Sequence, residues 1–136
     1  MTFDISTLAL KDTFTLKLKH PVTQELLLVD GDEDKPVAIE LYGTASKQYR
    51  NAISAMQTRA LRRNAKKEKP SADQIKEESV SLLVACSAGS KNLAVDGVVH
   101  AGDADSFKTL YSDARYSWIK EQVDEALGDI GNFLEA

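Results

Sequence analysis

The sequence predicts an α+β fold, a small N-terminal antiparallel β-meander followed by a mainly helical C-terminal half. Two observations predict it. Between residues 14 and 42, apolar side chains recur at every second position, the period of a half-buried strand. From Ser46 onward they recur at every third or fourth, the period of a helix with one buried face. The chain has 136 residues, 43% apolar and 28% charged, which is enough to bury one core. Residues 1–136 are therefore expected to form a single domain. Its β-rich part covers 1–43, and its helical part covers 44–136 with a short hairpin near 93–99.

Each element has a local reason. Phe14, Leu16 and Leu18 alternate with Thr15, Lys17 and Lys19 in the first strand, and "HPVTQE" has the length of a hairpin turn. A second strand covers 26–29. Val37, Ile39 and Leu41 alternate with Ala38, Glu40 and Tyr42 in a third, which Gly43 closes. Tyr49, Ile53, Met56 and Ala60 then share a helical face, and Pro70 stops the segment. "SADQ" at 71–74 has the spacing of a capping box, in which two side chains satisfy orphan N–H groups of a helix start. In the helix that follows, Ile75, Leu82, Leu83 and Cys86 share one face, Val80 and Val84 take another, and Gly89 is its expected cap. Asp96-Gly97, within "NLAVDGVVHAG", supplies the positive φ angles of a two-residue type I′ turn. Asp103 or Asp105 caps a third helix carrying Phe107, Leu110, Tyr111 and Ala114. The last helix begins near Ser117. Ile119, Val123, Ala126, Ile130 and Phe133 or Leu134 follow a 4-3-4-3 spacing, an apolar seam like that of a coiled coil.

Composition narrows the function. A formal charge of −4 and a pI near 5.2 argue against general affinity for nucleic acid or anionic membrane. No stretch approaches the ~20 apolar residues of a membrane-spanning helix, and the opening residues lack a signal-peptide pattern. The single cysteine, Cys86, has no internal disulfide partner, which fits a reducing compartment. A soluble, cytosolic protein is expected.

No enzyme motif emerges. "DGDEDK" sets Asp30, Asp32 and Asp34 at the first three ligand spacings of a calcium loop. Lys35 and Leu41 stand where that loop needs glycine and a bidentate glutamate, so a solvated turn is the reading. "CSAGSKN" lacks the glycine spacing of a phosphate loop. His20 and His100 have no metal-ligand neighbours in sequence, and no metal or cofactor is expected. Cys86 reads as a buried structural thiol, and a Cys86–His100 encounter in space is the one nucleophile arrangement left open.

From Arg59 to Lys69 the chain carries Arg59, Arg62, Arg63, Lys66, Lys67 and Lys69 against one acid, Glu68. That net of +5 leaves −9 for the rest. The run has no interleaved aromatic to stack on a base. It reads as a solvated helix end, favoured there by the helix dipole, or as a contact for an acidic partner ahead of nucleic acid. The only tryptophan and the last phenylalanine lie near the C-terminus. The seam Trp118, Ile119, Val123, Leu127, Ile130, Phe133 and Leu134 either closes the protein's own core or waits for a partner. Trp118 is expected to be core, whereas Phe133 and Leu134, last in the chain, are expected to be the most available.

Three stretches carry a resemblance: "KHPVTQELL" in the first hairpin, "IELYGTASKQYRNA" from third strand to first helix, and "YSWIKEQVDEALGDIGNFL" at the end. Together they cover about a third of the chain, and in this order they resemble the tail assembly chaperones of long-tailed bacteriophages and their prophage relatives. The resemblance implies a binding protein and no catalysis. Such chaperones coat the helical, aggregation-prone tape measure protein in the host cytoplasm, help recruit tail tube subunits, and are absent from the finished particle. It makes the tape measure protein and the tail tube protein the expected partners, with the terminal seam as the binding face. Independently of the resemblance, the basic run leaves association of the chain with itself as a further expected contact. A small structural tail component retained in the virion is the alternative. Family members are often made in two lengths by a ribosomal slip, for which codons of Gly131-Asn132-Phe133 could provide the site.

Overall fold

The computed structural model describes residues 2–134, without the side chain of Ile130. The architecture is α+β, as the two periods predict. A three-stranded antiparallel sheet combines β1 (Thr13–Lys17), β4 (Ala38–Tyr42) and β5 (Ser87–Lys91) in the order β1-β4-β5. Phe14 lies opposite Leu41 and Leu16 opposite Ile39, so one face of the sheet is apolar. β2 (Leu28–Val29) and β3 (Asp32–Pro36) form a separate ribbon, and β6 (Ala94–Val95) pairs with β7 (Val98–Val99).

The pairing is not that of a simple meander. The first and third predicted strands pair directly as β1 and β4, and the chain between them folds out as the ribbon. A ring of three backbone hydrogen bonds marks where the paths part. Leu18 N–H donates to Val37 O at 2.9 Å, Val37 N–H to Leu27 O at 2.8 Å, and Leu27 N–H to Leu18 O at 3.0 Å. Leu18 at this junction is fully buried, so its peptide groups cannot turn to water and are satisfied by Val37 and Leu27. The acidic run begins as a turn, with Asp30 at φ 51° and Gly31 at φ 70°, and continues as strand β3.

The second correction concerns the end of the second helix. α1 spans Lys47–Ala65 and α2 spans Ala72–Ala85. α2 stops one residue before Cys86, and "SAGSK", expected as a capped helix end, is the strand β5. Ser and Gly are weak helix formers, and β4 offers an unpaired edge. Tyr42 N–H accordingly donates to Cys86 O at 2.7 Å, and Gly89 lies opposite Glu40. Ile75 also departs from its expected face and is 56% exposed, because the first turns of α2 extend beyond the core.

Ser46 caps α1 by accepting from Tyr49 N–H at 3.1 Å, a cap that the change of period alone does not reveal. The helix-start cues that the sequence carries hold. Ser71 and Gln74 form the reciprocal capping box. Asp103 caps α3 (Ala104–Ser112) by accepting from Ser106 N–H at 2.8 Å, and Asp96 and Gly97 adopt φ 51° and 80° in the β6–β7 turn. Ala114, expected on the third helix, begins a short 3-10 turn instead, because α3 stops at Ser112. The core joins Leu18, Ile39 and Leu41 of the sheet region to Leu83 of α2, Phe107 of α3 and Val123 of α4 (Ser117–Gly128). α1 contributes no fully buried side chain.

Candidate functional site

The terminal seam does not run through as one helix. α4 ends at Gly128, and Asp129 caps a separate 3-10 turn, Ile130–Phe133, by accepting from Gly131 N–H at 3.0 Å. Glycine is a weak helix former and the aspartate that follows caps a new turn, and together they outweigh the 4-3-4-3 spacing. The break turns Phe133 inward. Its side chain is 1% exposed, meets Phe14 edge to face at 5.7 Å between centroids, and packs against Gly43. Lys11 N–H donates to Phe133 O at 2.6 Å, fixing the turn to the residues before β1.

Phe133 is therefore the correction: expected free, it is core. Ile119, Val123 and Leu127 are buried with it, and Trp118 and Leu134 are half-buried. Trp118, expected inside, packs on the core from its margin. The side chain of Ile130 lies outside the described residues. In the folded monomer the seam closes the protein's own core.

The basic run divides. Arg63 on α1 forms a two-pronged ion pair with Glu78 on α2, and Arg59 Nε lies 3.9 Å from the same carboxylate. Hydrogen bonding to Arg63 holds the Glu78 carboxyl below its ordinary value, against an opposing desolvation. Arg62, Lys66, Lys67 and Lys69 remain exposed. Two of the six basic residues thus fasten one helix to the other, a pairing across fifteen positions that charge counting along the chain does not reveal. The linkage has a defined sign. A folded-state pKa below the unfolded one adds stability that is present above the ordinary glutamate range and lost as pH falls through the folded value. Acidification should loosen the α1–α2 pair, and Glu78→Gln should remove that part of the pH dependence. Amide exchange across residues 59–66, measured against pH in both proteins, checks it.

Cys86 and His100 do not pair. Cys86 is fully buried at the end of α2, and burial pushes its thiol from 9.0 up to about 11. His100 Nδ1 accepts from Gly102 N–H at 3.1 Å and bonds Ser90 Oγ at 2.8 Å. An Nδ1 that accepts leaves the proton on Nε2, and Nε2 is buried with no partner among the described residues. The His100 ring packs on Phe107 at 4.6 Å, and Phe107 stacks on Tyr111 at 5.6 Å. The Tyr111 hydroxyl meets Ser87 Oγ at 2.6 Å; Ser87 itself donates to Leu83 O at 2.7 Å, so Tyr111 is the donor of that pair. Burial pushes Tyr111 up to about 12. His20 accepts from Val22 and Thr23 N–H at 3.1 and 3.2 Å, closing the first turn.

No protein-family model, curated protein or solved structure matches the chain.

The buried thiol makes a direct prediction. A raised folded-state pKa adds stability that is complete below the unfolded value and lost as pH rises through the folded one. With the folded-state thiol pushed up to about 11, that loss falls between pH 9 and 11. Stability should fall across that window, less steeply in Cys86→Ala, and a thiol reagent at pH 8 should label Cys86 only after unfolding. Denaturant midpoints against pH check the first part, and mass spectrometry after labelling checks the second.

Two surface features remain. A groove of about 310 Å³ beside the β6–β7 hairpin is lined by Val95, Val98, Val99, Leu110 and Tyr116. Val98 and Val99 are 70% and 78% exposed. A second groove, of about 620 Å³, runs between β1 and α4. Sequence reasoning missed both, together with Glu78 and with Gln122, whose amide bonds the backbone of Lys19 in both directions.

Proposed function

We propose that this protein is a tail assembly chaperone of a long-tailed bacteriophage or a prophage relative. It is a non-enzymatic binding protein that holds the tape measure protein in the host cytoplasm and helps bring in tail tube subunits. The carrying observation is the resemblance in three separated stretches, the last of which meets each of the other two in the fold. Lys19 in "KHPVTQELL" exchanges two hydrogen bonds with Gln122 in the terminal stretch, at 2.9 and 2.8 Å. Gly43 in "IELYGTASKQYRNA" takes the ring of Phe133 from the same stretch. Segments in mutual contact constrain one another, which supports reading the three together.

Because the seam is occupied by the core, capture falls to apolar side chains outside it. Val98 and Val99, beside the groove of about 310 Å³, offer a face on which an amphipathic helix can lay its apolar side. The test is co-expression with the tape measure protein of the same genome, followed by mass spectrometry of purified particles. Co-purification with a solubilised tape measure protein, and absence from the particle, are expected. Presence in the particle at tube stoichiometry would select the structural tail component instead.

A further inference from the structure

We infer that the outer edge of β1 binds an extended segment of a partner protein as an added strand, held in the groove beside α4. The register fixes which backbone groups face outward. Gly43 N–H donates to Asp12 O and Leu18 N–H to Val37 O, so the even-numbered residues of this strand bond toward β4. The odd-numbered residues face away. At both ends these outward groups are already taken: Lys11 N–H by Phe133 O, and Lys19 N–H and C=O by the side-chain amide of Gln122. The Gln122 amide thus stands where the peptide group of a neighbouring strand would be.

Between those ends Thr13, Thr15 and Lys17 present their N–H and C=O groups with no partner among the described residues. An open strand edge is a template for another strand, and folded proteins usually cover or charge it. Here both ends are covered and the middle opens into the groove of about 620 Å³. A segment of about five residues, at ~3.4 Å each, matches the length of β1.

Charge and apolarity select the occupant. The groove is floored by Phe14, Leu16 and Ala126, and its α4 side carries Glu125 and Asp129. Lys17 and Lys19 stand on its strand side. Side chains of an added strand alternate between the two faces. The fitting segment places apolar and basic residues toward α4 and acidic residues toward Lys17 and Lys19. A phage origin of the chain is not required for this edge to take such a segment.

The probe is the blocked pentapeptide Lys-Glu-Val-Glu-Lys, with a second version N-methylated at the amides that face β1. Both are titrated into the ¹⁵N-labelled full chain. The plain peptide should shift the amide resonances of Thr13, Thr15 and Lys17 and slow their hydrogen exchange by about tenfold at saturation. The methylated peptide should do neither. Glu125→Lys, an exposed side chain without an ion pair among the described residues, should weaken binding several-fold with an unchanged melting temperature. Thr15→Pro removes the central outward N–H without touching the ladder to β4, and should abolish the slowed exchange. If that variant does not fold, the methylated peptide carries the same test. Three results would overturn the inference: no binding at millimolar peptide, equal binding of the methylated form, or slow exchange at these amides in the free protein. Shifts at these amides with protein concentration alone would assign the edge to a second copy of the chain and overturn it equally.

Discussion

Phe133→Ala should destabilise the fold by about 3–5 kcal/mol, the range for truncating a buried phenylalanine. The size follows from what surrounds the ring. It is 1% exposed, with Phe14 at its edge and Gly43 beneath it. Neither neighbour can fill the space the ring leaves. Gly43 has no side chain, and Phe14 is fixed by a strand whose register is shared with β4. A cavity that cannot collapse lies toward the costly end of that range. Against a total stability of ~5–15 kcal/mol for a domain, the loss is a large fraction. Trp118→Ala should cost less, because Trp118 is only half-buried, which reverses the order expected from the sequence. Urea unfolding of both variants gives the comparison: a lower midpoint at constant slope for Phe133→Ala, and a smaller shift for Trp118→Ala. A Phe133→Ala protein as stable as its parent would mean that the terminal turn is not part of the core.

What the sequence made legible divides by the range of the interaction. The Ser71 and Gln74 capping box, the Asp103 cap and the Asp96-Gly97 turn are each decided within a few neighbouring residues. These were read correctly because the competing conformations are local too. β5 was read as helix end because its strand character comes from β4, which lies far back in the chain. The same holds for Arg63, whose partner is on the next helix, and for Phe133, whose partner is Gly43. Period analysis finds an apolar face but does not say what covers it. The terminal seam was legible as apolar, while its occupation by the protein's own core was not. Gly128 and Asp129 did carry the stop signal, yet a regular apolar spacing on both sides concealed it. The β1 edge was illegible for a further reason. It is defined by backbone groups, and every residue has those.

Gly43→Ala tests the docking of the terminus from the other side. A Cβ at position 43 would lie 2.5 Å from Phe133 Cδ1 and 2.7 Å from Cε1, well inside van der Waals contact. Something has to move, and the backbone is held. Gly43 N–H donates to Asp12 O at 2.8 Å, while Gly43 O accepts from Ser46 Oγ at 2.6 Å and from Ser46 N–H at 3.0 Å. The ring must therefore shift, carrying with it the turn that Asp129 caps. Forcing a methyl group into a packed core costs about 1–3 kcal/mol, and this site should sit at the upper end, because the clash is with a ring on its own buried turn. In a Phe133→Ala background the same methyl enters empty space. There it should be neutral or stabilising by about 0.4–1 kcal/mol, since alanine also restricts the unfolded chain. The two changes should then be strongly non-additive, with a coupling of ~1–3 kcal/mol in a double-mutant cycle read from unfolding midpoints. Equal cost of Gly43→Ala in both backgrounds would show that the ring does not occupy this space. The glycine would then have to be explained by its backbone alone, and the terminal turn would lose its anchor on the sheet.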